Sequence, residues 1–195
     1  MNRFFIFIFI YFLASCSQPV SKEDQTIQIG KQIWMKNNLS VVTFRNGDTI
    51  PEAKTDEEWN QARFAEKPAW CYVKNSPGSD SLFGRLYNWY AVTDPRGLAP
   101  AGWHIPSYDE WTALMTNNNG MMFSVQRAGT RTFAGPFENE GWGFWWSSTG
   151  NESYDHQYAW YGVIGIKNDS LHKDTYVKGS GFSVRCVKDA NPQTK

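Results

Sequence analysis

The chain reads as an α+β domain with few helices and many short strands. Three features predict this. A helix-start signature, a hydroxyl N-cap with glutamate three residues on, occurs twice, in "TDEEW" and "PSYDEW". Asn46-Gly47 sits between apolar stretches, a strong hairpin signal. After Met115 the chain breaks into glycine-rich pieces with strand-like alternation and no sustained helical period.

Taken in order, the first fifteen residues lie outside the domain. "MNRFFIFIFIYFLASC" has one cation, Arg3, followed by an apolar run from Phe4 to Leu13. That run is too short to span a bilayer and fits the core of a signal peptide. It ends in Leu13-Ala14-Ser15-Cys16, which matches the bacterial lipobox at four positions and makes Cys16 the expected lipidation site. Two or more acyl chains hold a protein stably on a membrane. Residues 16–26, including "SQPVSKEDQT", have no apolar period and read as a tether. The domain is expected over residues 27–189, followed by a short tail, 190–195.

Within the domain, "IQIGKQIWM" and "VVTFRNGDTI" read as strands. Thr55 with Glu58 opens one helix and Ser107 with Glu110 another. Each glutamate is followed at once by a tryptophan, Trp59 or Trp111, placed to pack back on the chain before the cap. "AWCYV" is a short aromatic strand. In "SLFGRLYNWYAV" the spacing of Leu82, Phe83, Leu86, Tyr87, Tyr90 and Ala91 predicts one face of a helix, with Pro95 beyond its end. "GFWWSST" is the clearest strand, and alternation sends Trp145 and Trp146 to opposite faces. "AWYGVIGI" and "GFSVRCV" read as closing strands around a turn, "KNDSLHKD".

Composition narrows the function classes. There are 19 basic and 19 acidic residues, so charge gives no pointer to nucleic acid. Loss of Arg3 with the signal segment leaves a balance of about −1. With 41% hydrophobic and 16% aromatic residues, ten of them tryptophan, the chain has enough for one packed core. Cys16 aside, Cys71 and Cys186 remain. In an exported chain two cysteines point to one disulfide, worth up to ~4–5 kcal/mol; two buried thiols are the other arrangement open.

No catalytic signature is present: no nucleophile elbow, P-loop or dinucleotide fingerprint. His104, His156 and His172 are not spaced as a zinc set, and no cofactor or metal is expected. Calcium would need several converging oxygens, which Glu138, Asn139 and Glu140, or Glu152 and Asp155, begin to supply; solvated loop carboxylates are the commoner reading. The carboxylates of "GWHIPSYDEW" are accounted for by the helix start, and His104 reads as a hydrogen-bonded rim residue. Trp142, Tyr154, Tyr158 and Trp160 flank polar residues in glycine-rich segments, an arrangement used both for sugar or peptide recognition and for capping a sheet. Trp160, inside an apolar strand, reads as core.

"IGKQIWMKNNL", "FGRLYNWYAV", "LAPAGWHIPSYDEWTAL", "GFWWSST" and "GFSVRCVKD", in that order, resemble the Fibrobacter succinogenes major paralogous domain, a family of exported bacterial domains often found on lipoproteins. The "GWHIPSYDEW" block also resembles a stretch of the formylglycine-generating fold. These resemblances imply a C-type-lectin-like domain with two main helices, small antiparallel sheets and long loops. Family members often carry a cysteine where this chain has Ala99, which leaves the Cys71–Cys186 bond open. The enzymatic relatives use a close pair of late cysteines, whereas here only Cys186 is found, so oxidase activity is not implied.

The sequence therefore leads to an expectation of a non-catalytic, lipid-anchored module on the bacterial envelope, with the outer membrane favoured. It would bind a glycan or a partner protein near Trp142, Glu152, Tyr154, Asp155 and His156, and no nucleic acid. Two rivals stand beside it: a hydrolase-like enzyme with a dispersed site using His104 or His156, and a structural subunit of an envelope complex.

Overall fold

A computed structural model describes residues 25–116, 126–152, 156–166 and 170–189. The lipobox and Cys16 lie outside the described residues, as do Tyr154 and Asp155. No helix among the described residues is long and apolar enough to cross a membrane.

The chain begins and ends in one sheet. β1 (Thr26–Ile29) and β2 (Gln32–Met35) form an antiparallel hairpin that turns at Gly30, where φ is +58°. β10 (Val187–Asp189) pairs with the other edge of β2, setting Val187 opposite Trp34. Trp34 and Val187 are both fully buried. The Asn46-Gly47 signal gives a tight turn, with the Phe44 amide donating to Asp48 O at 2.8 Å. Its flanks make only an isolated bridge between Thr43 and Thr49, so the hairpin is short.

The two main helices start where the caps predict. In α1 (Asp56–Phe64) the Glu58 amide donates to Thr55 Oγ1 at 3.2 Å, and the Thr55 amide donates to Glu58 Oε2 at 3.2 Å. In α4 (Tyr108–Thr116) the Glu110 amide donates to Ser107 Oγ at 3.3 Å, and the Ser107 amide to Glu110 Oε2 at 2.8 Å. Trp59 and Trp111, fourth in each helix, are both buried, and Trp59 Nε1 donates to Gly179 O at 2.9 Å.

The helix expected across Leu82–Ala91 is not formed. The segment is instead a single turn, α2 (Asp80–Phe83), a strand, β4 (Arg85–Tyr87), and a second turn, α3 (Trp89–Val92). Gly84 breaks the run, with φ +68° and ψ −153°, a region that only glycine occupies readily. β4 then pairs with β3 (Trp70–Tyr72), with Cys71 opposite Leu86. All three β4 residues are buried, which imitates the apolar density of a helical face. Asn88 restarts the helix by accepting from the Ala91 amide at 3.1 Å.

The second half is built from strands. β5 (Thr130–Arg131) and β6 (Phe137–Glu138) form a two-stranded sheet. β7 (Gly143–Gly150), β8 (Tyr158–Ile164) and β9 (His172–Val177) form an antiparallel meander, so β9 begins inside the segment expected to be a turn. Of "GFSVRCV", residues 181–183 contribute only bridges to Arg131, Tyr87 and Trp145, and Val187 alone enters a strand. Several small antiparallel sheets and two main helices make this an α+β domain.

β7 divides the core. Trp145 packs with Trp34, Trp111 and Leu114, and Trp146 with Tyr87, Tyr161 and Phe182. Both rings are fully buried, and truncating either to alanine would cost about 3–5 kcal/mol. A third cluster, around Trp59, Cys71, Leu86 and Ala128, underlies the β5–β6 sheet. Trp160, expected in the core, is half-buried, its ring 4.7 Å from that of Tyr108.

Candidate functional site

Of the residues expected around one ligand, the three described, Trp142, Glu152 and His156, fall at two ends of a hairpin. Glu152 and His156 lie beyond Gly150 at the β7–β8 turn, both exposed, with His156 Nδ1 3.6 Å from Glu152 Oε2. Trp142 precedes Gly143, at the other end of β7. Eight strand residues at ~3.3 Å each separate them, too far for one small ligand. Trp89, which sequence reasoning missed, lies with Glu152 beside Gly150. Its ring is already occupied: Lys178 Nζ lies 4.4 Å from the centroid, Gly150 packs against it, and Nε1 donates to Ser147 O at 2.9 Å.

Trp142 stands beside a better-formed site. A cleft of about 470 Å³ opens between residues 73–83 and 127–141. One wall is made by two 3₁₀ turns, Val73–Asn75 and Pro77–Ser79, and by α2. Lys74 and Asn75 hold left-handed backbone there, at φ 55° and 52°. The other wall is the β5–β6 sheet and the turn after it, where Asn139 sits at φ 56°. Non-glycine residues in this region cost of order 1 kcal/mol or more and persist only where their surroundings fix them. Gly129 brings the wall together: a Cβ there would lie 2.7 Å from Glu138 O.

The cleft floor is apolar because it opens onto the third core cluster, through Val73, Phe83, Ala128 and Phe137. Its mouth is crossed by an ion pair, Lys74 Nζ to Glu140 Oε2 at 2.8 Å, with one partner on each wall. Leu82, on the lip, is 63% exposed. Beyond lining residue Gly141 stand Trp142, 40% exposed, and Ile166, 59% exposed. Ile166 is 3.4 Å from where a Gly141 Cβ would be. Trp142 is held by its amide donating to Asn139 O at 3.0 Å, by its carbonyl accepting from Gly129 N at 2.8 Å, and by stacking on Phe144. Three of the five exposed large hydrophobic side chains among the described residues thus flank one cleft.

A second cavity, of about 300 Å³, is lined by His104, Glu110, Arg45 and Ser148. His104 Nε2 lies 2.6 Å from Glu110 Oε1, while Ser107 donates from its amide and hydroxyl to Oε2. Partial burial opposes ionisation of Glu110, but the hydrogen bonds from Ser107 and His104 outweigh it and hold the carboxyl below its usual range.

Among the described residues, Glu138, Asn139 and Glu140 do not gather as a cation site, and Asp155 lies outside those residues. Glu140 is engaged by Lys74, and Asn139 donates its amide nitrogen to Thr130 Oγ1 at 3.3 Å. Among the described residues no three His, Cys, Asp or Glu side chains cluster as metal ligands would.

The disulfide expectation is corrected. Cys71 and Cys186 are free and buried in different clusters, Cys71 beside Trp59 and Leu86, Cys186 with Ala99 and Tyr87. Desolvation pushes both thiols up to about 12.

Neither a curated protein nor a solved structure matches this chain. A family model does match, over a stretch that holds both capping boxes, the Gly84 break and the 73–83 wall of the cleft. Over residues 27–117, the chain is similar to the Fibrobacter succinogenes major domain.

Proposed function

We propose that this chain is a lipid-anchored, non-catalytic binding module of the bacterial cell envelope, recognising a glycan or a partner protein at the cleft flanked by Leu82, Trp142 and Ile166. The observation that carries the reading is that three exposed apolar side chains flank one preformed cleft, Leu82 in its lining and Trp142 and Ile166 beside Gly141. Exposed apolar side chains gathered about a cleft, costly to leave in water, mark interaction sites. The cleft volume falls in the range of ligand pockets. The anchor rests on the Leu13–Cys16 lipobox.

The test is binding of protein beginning at Ser17 to a broad glycan and polysaccharide panel, with crosslinking on intact cells for protein partners. A specific ligand lost on Leu82→Arg and on Trp142→Ala supports the cleft; a ligand indifferent to both sinks it. Cys16→Ala should abolish fatty-acid labelling and release the protein from the membrane fraction.

The His104–Glu110 pair favours a second reading, an envelope hydrolase with His104 as general base oriented by a carboxylate. Turnover in an esterase, glycosidase or peptidase panel, lost in His104→Gln, would support it; no turnover on any substrate would end it.

A further inference from the structure

We infer that the ligand of the cleft is a polypeptide, entering as an extended segment that buries one large apolar side chain. This rests on the binding role proposed for that cleft and names the partner's chemistry. Among the described residues β6 has a single strand partner, β5, and both its residues, Phe137 and Glu138, line the cleft. An edge strand turns alternate N–H and C=O groups away from its partner, and an added extended chain satisfies them.

The floor and the rim agree with this occupant. Val73, Phe83, Ala128 and Phe137 offer an apolar seat that suits a large apolar side chain, whereas a sugar hydroxyl set against them would lose water and find partners only on the walls, at Ser76, Ser79, Thr130 or Asn139. The charges at the mouth are balanced: Lys74 and Arg127 against Glu138 and Glu140. A polyanion would meet as many carboxylates as cations, whereas an uncharged backbone with an apolar anchor meets no net repulsion. The Lys74–Glu140 pair over the mouth is solvent-exposed on both sides, so parting it costs little.

A random fifteen-residue peptide phage library, panned on protein beginning at Ser17, tests this directly. The selected peptides should share one large apolar residue at a fixed position. Their affinity should fall at least tenfold on Leu82→Arg, with no change in that variant's melting temperature. N-methylation of the synthetic peptide backbone at alternate positions should cut affinity tenfold in one register and spare the other. Uniform tolerance of N-methylation would overturn strand addition. Failure to select any peptide sensitive to Leu82→Arg would overturn the inference. A neutral glycan binding with that sensitivity would also overturn it, while leaving the binding role intact. If no ligand of any class responds to Leu82→Arg and Trp142→Ala, the binding role itself falls.

Discussion

Glu110 Oε1 lies 2.6 Å from His104 Nε2, tying the strand-like approach to α4 to the first turn of that helix. The other carboxylate oxygen completes the cap with Ser107. One side chain therefore fixes both the start of the helix and the angle at which the chain enters it. Because the folded carboxyl is more acidic than the ordinary 4.5, its ionisation stabilises the fold above that value. The contribution fades as pH falls through the lower folded pKa. Wild type should exceed Glu110→Gln in urea midpoint at pH 7, and the gap should close as the pH falls below 4.5 and through the lower folded pKa. A gap independent of pH would show that the charge contributes nothing. Ser107→Ala should cost about 1 kcal/mol at neutral pH.

Gly84 is the hinge on which the region from Asp80 to Val92 departs from a helix. A Cβ there would lie 2.8 Å from Leu39 O, on backbone at φ +68°. Gly84→Ala should therefore destabilise by roughly 1–3 kcal/mol through strain and displacement of the Leu39 carbonyl. Gly78 has nothing within 4 Å of its Cβ position and an ordinary φ, so Gly78→Ala should be close to neutral. Equal denaturation midpoints for the two variants would contradict this account.

These two places show how far the sequence could be read. Helix starts are local chemistry: Thr55 with Glu58 and Ser107 with Glu110 satisfy amides three residues away, so their signatures survive in one dimension. The break at Gly84 is tertiary, since the carbonyl that crowds it belongs to Leu39 and the strand that follows pairs with residues 70–72. The cleft was hidden for the same reason. Its walls lie more than forty residues apart in sequence and depend on left-handed backbone at Lys74, Asn75 and Asn139, residues that do not advertise it as glycine would. Trp142 was legible as a candidate ligand-side aromatic residue, but its neighbours were not: Leu82 read as part of a helical face and Ile166 as the end of a strand.

Cys71 and Cys186, each enclosed in its own cluster, should behave as inert hydrophobic residues. Burial pushes both thiols up to about 12, so neither supplies thiolate at neutral pH. Native protein beginning at Ser17 should not react with Ellman's reagent, and two thiols should appear on unfolding in denaturant. Reductant should leave the melting temperature unchanged. A native mass lower by two hydrogens would mean that a disulfide forms after all.

Asn38 links the segment after β2 to the buried side of β7. Its Oδ1 accepts from Trp145 Nε1 at 2.8 Å and from Arg185 Nη2 at 2.8 Å, and its Nδ2 donates to Phe83 O at 2.9 Å. Arg185 is fully buried, and desolvation lowers its guanidinium to about 9, so at neutral pH it keeps a charge that needs acceptors. Asn38→Ala removes an acceptor shared by an indole and a guanidinium and should cost about 3 kcal/mol, read from the urea midpoint. Trp145→Phe gives up one of these bonds and part of the ring volume, and should cost about 2 kcal/mol. Once Asn38 is gone, the indole N–H has already lost this acceptor, so the second substitution removes less. The double variant should therefore be more stable than the sum of the singles requires, by about 0.5–1 kcal/mol. Strict additivity would mean that the Asn38–Trp145 bond adds nothing beyond packing, and that Asn38 acts through Arg185 and the Phe83 carbonyl alone.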